Sequence, residues 1–160
     1  MMQSSSPAKP ALLSEQSRLG RHGEELAAAF LQQEGYRLVA SNFTIPVGRN
    51  RLGAVIQVEI DLVAYEGPTL CFIEVKTRAS DWFALPSANV DLRKQRQITR
   101  AARAYRRLFG LSDQSYRYDV VSIVMPPADE TNKGPQVNLL RNFWSEERFR
   151  KRQRDAVRWD

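Results

Sequence analysis

Residues 58–64 read VEIDLVA and residues 70–76 read LCFIEVK, and these two stretches decide the fold of the chain. Both are short, mostly apolar runs rich in β-branched residues, which is typical of strands. Residues 65–68, between them, contain the glycine and proline of a turn. The sequence therefore predicts a β-hairpin with charged residues set into otherwise apolar strands.

The charged residues of this hairpin fall on defined faces. Side chains alternate along a strand, so Glu59 shares a face with Asp61, and Glu74 shares one with Lys76. Clustered carboxylates repel one another and are costly to desolvate unless a cation lies among them. Mg²⁺ takes oxygen ligands, and a neighbouring lysine can hold a phosphate or a water. The pattern points to a metal site, but a solvated strand face with cross-strand Glu–Lys pairs is an alternative that the spacing leaves open.

The composition is that of one globular domain, with 160 residues, 42% hydrophobic and 26% charged. No apolar run is long enough to span a bilayer, and residues 1–13 lack a secretory segment. We therefore expect a disordered leader over 1–13 and no membrane partner. Cys71 is the single cysteine and His22 the single histidine, which excludes an intrachain disulfide and a zinc cluster. We expect a cytoplasmic protein whose working groups are carboxylates and lysines.

The net charge is +6, and its distribution is uneven. Thirteen of the 24 lysines and arginines lie in residues 91–110 and 148–158. Arginines clustered along a helix are the electrostatic footprint of a nucleic-acid partner. A basic helix that is only solvated is the alternative.

Periodicity predicts the element order α-β-β-β-α-β-β-α, which implies a mixed α/β sandwich with a central sheet flanked by helices. In the first helix Glu24 borders the apolar face, while Glu25 faces solvent. The second helix is expected to bury Ile98, Tyr105, Leu108 and Phe109 on one face. The predicted elements are a helix over 14–34, strands over 36–41, 54–66 and 69–78, a loop over 79–90, a helix over 91–109, strands over 118–125 and 136–140, and a basic C-terminal helix over 145–160.

Several motifs together resemble the bacterial YraN family. The resemblance covers residues 18–143 and implies a restriction-endonuclease-like core of the kind found in archaeal Holliday-junction resolvases. The endonuclease-like domain would span residues 14–144. The matching residues are Gly20, Gly23, Glu24, Ala27, Gly35, Tyr36, Asn42, 59–62, 72–78, Lys94 and 117–121.

The resemblance also implies roles for individual residues. Asp61 and Glu74 would be carboxylate ligands of Mg²⁺ or Mn²⁺, and the Val75 carbonyl would be a third ligand. Lys76 would activate the attacking water, and Glu24 would be the acid contributed by the helix. The nucleic acid, expected to be DNA, would be tracked by basic residues, namely Arg78, Lys94, Arg96, Arg100 and Arg103.

The chain departs from the family at two places. Val58 stands where the family usually has glycine, and residues 43–57 form an insertion that we expect to be a hairpin or a loop. Neither departure removes a proposed ligand.

Three functional hypotheses follow. The first is a metal-dependent endonuclease that cuts branched or flapped DNA. The second is a non-catalytic protein that binds nucleic acid or scaffolds a partner on the same fold, and the third is a structural protein whose basic helices bind an acidic protein. The filled site positions favour the first over the second, and the arginine clusters favour both over the third. A homodimer is left open.

Overall fold

A computed structural model describes residues 14–79 and 90–149. The predicted leader, most of the predicted loop and most of the basic C-terminal helix lie outside the described residues. The elements follow the predicted order up to the last strand. They are α1 (Glu15–Gln33), β1 (Arg37–Arg49), β2 (Val55–Glu66), β3 (Thr69–Ala79), α2 (Leu92–Leu108), β4 (Tyr116–Met125) and β5 (Gln136–Trp144).

The five strands form one mixed sheet in the order β1-β2-β3-β4-β5. β3 and β4 are parallel, and the other neighbouring strands are antiparallel. Parallel neighbours need a crossover, and α2 provides it. This is the predicted α/β architecture, and it is consistent with a restriction-endonuclease-like core.

The two helices cover different faces of the sheet. On one face α1 buries Ala27 and Leu31 against Leu62, Ile73 and other β-strand residues. On the opposite face α2 buries its apolar residues in a second core with Phe72, Tyr118 and Trp144. Among the described residues, no helix combines the length and apolar character needed to cross a bilayer. The central strands are therefore buried on both sides, which explains their nearly continuous apolar sequence.

The predicted end of the first strand at Ser41 is wrong, because β1 continues to Arg49. The insertion over 43–57 forms the far end of a long β1–β2 hairpin, where Ile45 lies opposite Val58 and Arg49 opposite Val55. Asparagine, proline and glycine usually interrupt strands, and β1 contains Asn42, Pro46 and Gly48. The strand absorbs them through a left-handed backbone at Asn42 (φ 50) and a register shift between Pro46 and Gly48.

Two other expectations need correction. β5 runs to Trp144 and not to residue 140. The predicted apolar face of α2 is wrong at its C-terminal end, where Leu108 is 64% and Phe109 50% exposed. Arg106 is buried in that part of the helix, and its guanidinium lies 3.6 Å from the centre of the Tyr116 ring. The helix therefore buries a charged side chain, because the Tyr116 ring and the Glu146 carboxylate contact its guanidinium.

Candidate metal centre and basic surface

Asp61 lies where β2 and β3 separate. The pairing between these strands ends at Leu62 and Ile73, and before Leu62 the chain of β2 pairs only with β1. The Asp61 carboxylate accepts a hydrogen bond of 2.8 Å from the backbone N–H of Val75. It thereby satisfies a donor that the parting of the strands would otherwise leave without a partner. The separation creates an opening in the sheet, with Asp61 on one side and Glu74 on the other.

Asp61 and Glu74 form a buried carboxyl pair. Only 9% of Asp61 and 4% of Glu74 is exposed, and the two carboxyl groups are close enough to affect each other's pKa. Burial, reinforced by the charge of Asp61, raises the pKa of Glu74 to about 8. Burial also raises the pKa of Asp61, although the Val75 hydrogen bond opposes this. Within the described residues, Glu74 Oε2 is a buried oxygen with no hydrogen-bond partner.

Two more carboxylates lie close to Asp61. Glu24 of α1 and Glu59 of β2 each offer an oxygen, and these oxygens and that of Asp61 lie within 4.8 Å of one another, so the group could hold a metal ion. Asn42 Nδ2 donates to Glu24 at 2.7 Å and to Glu59 at 3.0 Å. Burial raises the pKa of Glu24, while the Asn42 bond lowers it. Glu24 is half-buried and Glu25 is exposed, so the predicted difference between these neighbours is confirmed.

The helix reaches this position through a close contact at Gly23. A Cβ atom added there would overlap the Thr77 hydroxyl on β3. Gly23 therefore allows α1 to lie against β3 next to the acidic residues, which brings Glu24 to Asp61. In the sequence Gly23 stands out only as one of the residues that match the family motifs, and no local pattern shows its contact with Thr77.

We expect Gly23→Ala to lower the free energy of unfolding by about 1–3 kcal/mol, because the new methyl group pushes α1 away from β3. The measurement is urea unfolding followed by circular dichroism. Gly20→Ala is the matched control: it lies in the same helix and its Cβ would meet no atom within 4 Å. It should raise stability by up to about 1 kcal/mol through helix propensity. Adding Thr77→Ala should recover much of the Gly23→Ala loss, and additive effects would contradict the contact.

Lysines from two elements approach Glu74. Lys94 Nζ of α2 lies 3.8 Å from Glu74 Oε1. The positive charges of Lys94 and, to a lesser degree, Lys76 lower the pKa of Glu74 against the effect of burial. Sequence reasoning placed Lys94 only among the nucleic-acid contacts. Its position in the first turn of α2, behind the N-cap Asp91, carries no local signal that it faces β3.

The predicted nucleic-acid contacts differ in how free their charges are. Arg96 and Arg100 are exposed on α2, and Arg78 is half-buried on β3. Arg100 donates a hydrogen bond of 3.0 Å to the Val47 carbonyl in the β1–β2 hairpin. Arg103 instead forms an ion pair of 3.1 Å with Glu146. Arg96 and Arg100 are therefore the better candidates for contacts with an external phosphate.

Glu146 was missed as a structural residue. It lies in the predicted basic C-terminal helix, yet it is only 5% exposed. It accepts hydrogen bonds from Arg106 at 2.8 Å, from the Tyr118 hydroxyl at 2.9 Å and from Arg103 at 3.1 Å. These hydrogen bonds hold the segment that follows β5 against α2.

The five-stranded mixed sheet makes this an α/β protein whose fold is consistent with a restriction-endonuclease-like core. It carries an acidic group that could hold a metal ion. Residues 23–123 match the uncharacterised protein family UPF0102, and the chain belongs to this family, which is the YraN family indicated by its motifs.

Curated relatives extend the match over most of the chain. The UPF0102 protein of Desulfosudis oleivorans is 35% identical over 131 residues, which are 82% of this chain and 93% of that protein. The UPF0102 protein of Geobacter sulfurreducens is 40% identical over 124 residues, 78% of this chain and 86% of that protein. The one from Chlorobium chlorochromatii is 43% identical over 105 residues, 66% of this chain and 73% of that protein. Their names record no activity.

Proposed function

We propose that this protein is a metal-dependent endonuclease that hydrolyses phosphodiester bonds in branched or flapped DNA. The observation that carries the proposal is the buried Asp61–Glu74 pair in the opening between β2 and β3. Two neighbouring buried carboxyl groups destabilise a fold through desolvation and mutual repulsion, and a divalent cation bound between them offsets both costs.

The residues present fit a hard divalent cation such as Mg²⁺ or Mn²⁺. All the side-chain donors are carboxylate oxygens, which these ions prefer over nitrogen or sulfur. Glu74 Oε2 is buried and has no hydrogen-bond partner among the described residues, so it is available as a ligand. Asp61, Glu74, Glu24 and the Val75 carbonyl would hold the ion. When bound, it would lower the pKa of the attacking water and neutralise charge on the phosphate.

The remaining residues would position the substrate. Lys76, on the same strand as Glu74, would orient the water or hold the scissile phosphate, and Lys94 offers a second positive charge beside it. Arg78, Arg96 and Arg100 would hold the DNA backbone, a contact that positions a duplex without reading its sequence. Asn42 keeps Glu24 and Glu59 together through its two hydrogen bonds.

A second candidate function is a non-catalytic protein that binds nucleic acid or scaffolds a partner. The Lys94–Glu74 contact favours it, because an ammonium group can balance a buried carboxylate without a metal ion. With either function, the protein would act in the cytoplasm. A homodimer would bring two sites to one branched DNA.

The deciding experiment is incubation of the purified protein with branched, flapped and linear DNA in Mg²⁺, Mn²⁺ or EDTA. Cleavage of the branched or flapped substrates with metal but not with EDTA is the expected result. DNA binding without cleavage in any divalent metal would replace the nuclease by the second candidate.

We expect the double change Arg96→Ala and Arg100→Ala to weaken binding to all DNA sequences equally. The slope of affinity against salt concentration should also become shallower, by the amount that corresponds to about two lost phosphate contacts. Fluorescence anisotropy in EDTA over a series of salt concentrations measures both quantities. The control with the same charge change is Arg18→Ala with Lys133→Ala, two exposed basic residues outside α2 and β3. Equal losses from both pairs of changes would mean that α2 is not the binding surface.

A further inference from the structure

The tip of the β1–β2 hairpin presents one leucine to solvent. Leu52 is 93% exposed, more than any other large apolar residue that the structure describes. Val55, at the base of the tip, is 48% exposed. A single exposed leucine is ordinary on a protein surface, so the surroundings of this one decide its meaning.

Several hydrogen bonds stabilise the turn that carries Leu52. The Asn50 side-chain oxygen accepts hydrogen bonds from the backbone N–H of Leu52 at 3.0 Å and of Ala54 at 2.9 Å. Backbone bonds between Asn50 and Ala54 and between Gly53 and Asn50 close the turn, with Gly53 in the left-handed region at φ 81. Leu52 is therefore held outward by a structured turn.

The hairpin segment that carries the tip is basic. Residues 37–58 contain three arginines and no acidic residue. Arg49 braces the turn through a hydrogen bond of 2.7 Å to the Gly53 carbonyl, and Arg51 is exposed beside Leu52. Arg100 links the hairpin to α2 through the Val47 carbonyl. The tip therefore continues the basic surface of α2.

The length of the hairpin sets its reach from the acidic site. Val55 lies six residues from Asp61 along β2, which is about 20 Å at the rise of a strand. B-DNA advances about 3.4 Å per base pair. With the hairpin laid along the duplex, Val55 would stand roughly six base pairs from the acidic site, and Leu52, three residues further into the turn, slightly beyond that.

We propose that the hairpin tip is a wedge that inserts Leu52 between the bases of branched or kinked DNA, about six base pairs from the phosphate held at the acidic site, while Arg51 binds a neighbouring phosphate. This deepens the proposed function and depends on it for the position of the cut. Apolar side chains inserted at a base step unstack it, and arginines beside them hold the backbone. A lone leucine flanked by arginines fits this role better than a protein interface, which needs a larger continuous apolar core.

The test uses the full-length protein in EDTA with a three-way DNA junction that carries 2-aminopurine at one position at a time. Wild-type protein should raise the 2-aminopurine fluorescence at the branch point or at a position roughly six base pairs from the cleaved phosphate. Leu52→Ala should abolish at least about four-fifths of that rise and keep affinity for linear duplex within about twofold. Leu108→Ala is the matched control, since Leu108 is also a strongly exposed leucine but lies at the end of α2.

The outcomes separate the wedge from the nuclease. A rise that depends on Leu52, in a protein that never cleaves, would support the wedge and end the nuclease proposal. Cleavage by a protein whose fluorescence rise is absent, or unchanged by Leu52→Ala, would overturn the wedge and leave the nuclease standing. Absence of any DNA binding would overturn both.

Discussion

Asp61→Asn should abolish metal-dependent cleavage while DNA binding stays the same or becomes tighter. The change removes one metal ligand and one negative charge beside the incoming phosphate. Loss of an outer partner of a metal site commonly costs 10–100-fold, so we expect loss of a direct ligand to lower the cleavage rate by more than about 100-fold. The asparagine oxygen can still accept the Val75 N–H bond, so the strand geometry should persist. Single-turnover cleavage and anisotropy in EDTA measure the two effects separately.

Neighbouring residues give a graded set of controls for this result. Glu25→Gln should change nothing, because Glu25 is exposed and outside the acidic group. Glu24→Gln should lower the rate less than Asp61→Asn, since Glu24 is only half-buried. Lys76→Ala should stop turnover and slightly weaken phosphate binding, because it removes a positive charge. If Asp61→Asn cleaves at the wild-type rate, the nuclease proposal fails.

In EDTA, the protein should become less stable as the pH rises from about 5 to 8. The pKa of Glu74 is about 8 in the folded protein, above the ordinary value of 4.5 that applies to the unfolded chain. Between these values the folded state holds a proton that the unfolded state has lost, so the free energy of unfolding falls with rising pH. We expect the melting temperature to drop by roughly 5 °C or more over this interval. Scanning calorimetry across the pH series measures it.

Glu74→Gln should flatten this pH dependence and raise the melting temperature at pH 8, because the buried group can no longer ionise. Glu25→Gln should retain the wild-type slope, since it changes an exposed carboxylate. Mg²⁺ should stabilise the wild-type protein more at pH 8 than at pH 5.5, as the ion binds the ionised carboxylates and only the folded state gathers them. A melting temperature that rises from pH 5 to 8 in EDTA would contradict the buried pair.

Much of the candidate site could be predicted because it rests on local periodicity. The alternation of side chains along strands put Asp61 and Glu74 into apolar surroundings, and the 3.6-residue repeat of α1 separated Glu24 from Glu25. The same signals predicted the element order and the α/β class. They failed at Asn42, Pro46 and Gly48, where residues that usually end strands are accommodated by a left-handed residue and a register shift.

The sequence by itself determined the elements, their buried faces and the acidic residues that line them, because these follow from repeats of two and 3.6 residues. Only the tertiary structure decided that β2 and β3 part at Leu62, that Lys94 reaches Glu74 and that Asn42 joins Glu24 to Glu59. It also decided that Glu146 is buried beneath α2 arginines. These contacts join residues far apart in the chain, and their geometry depends on how whole elements pack, which no local pattern records.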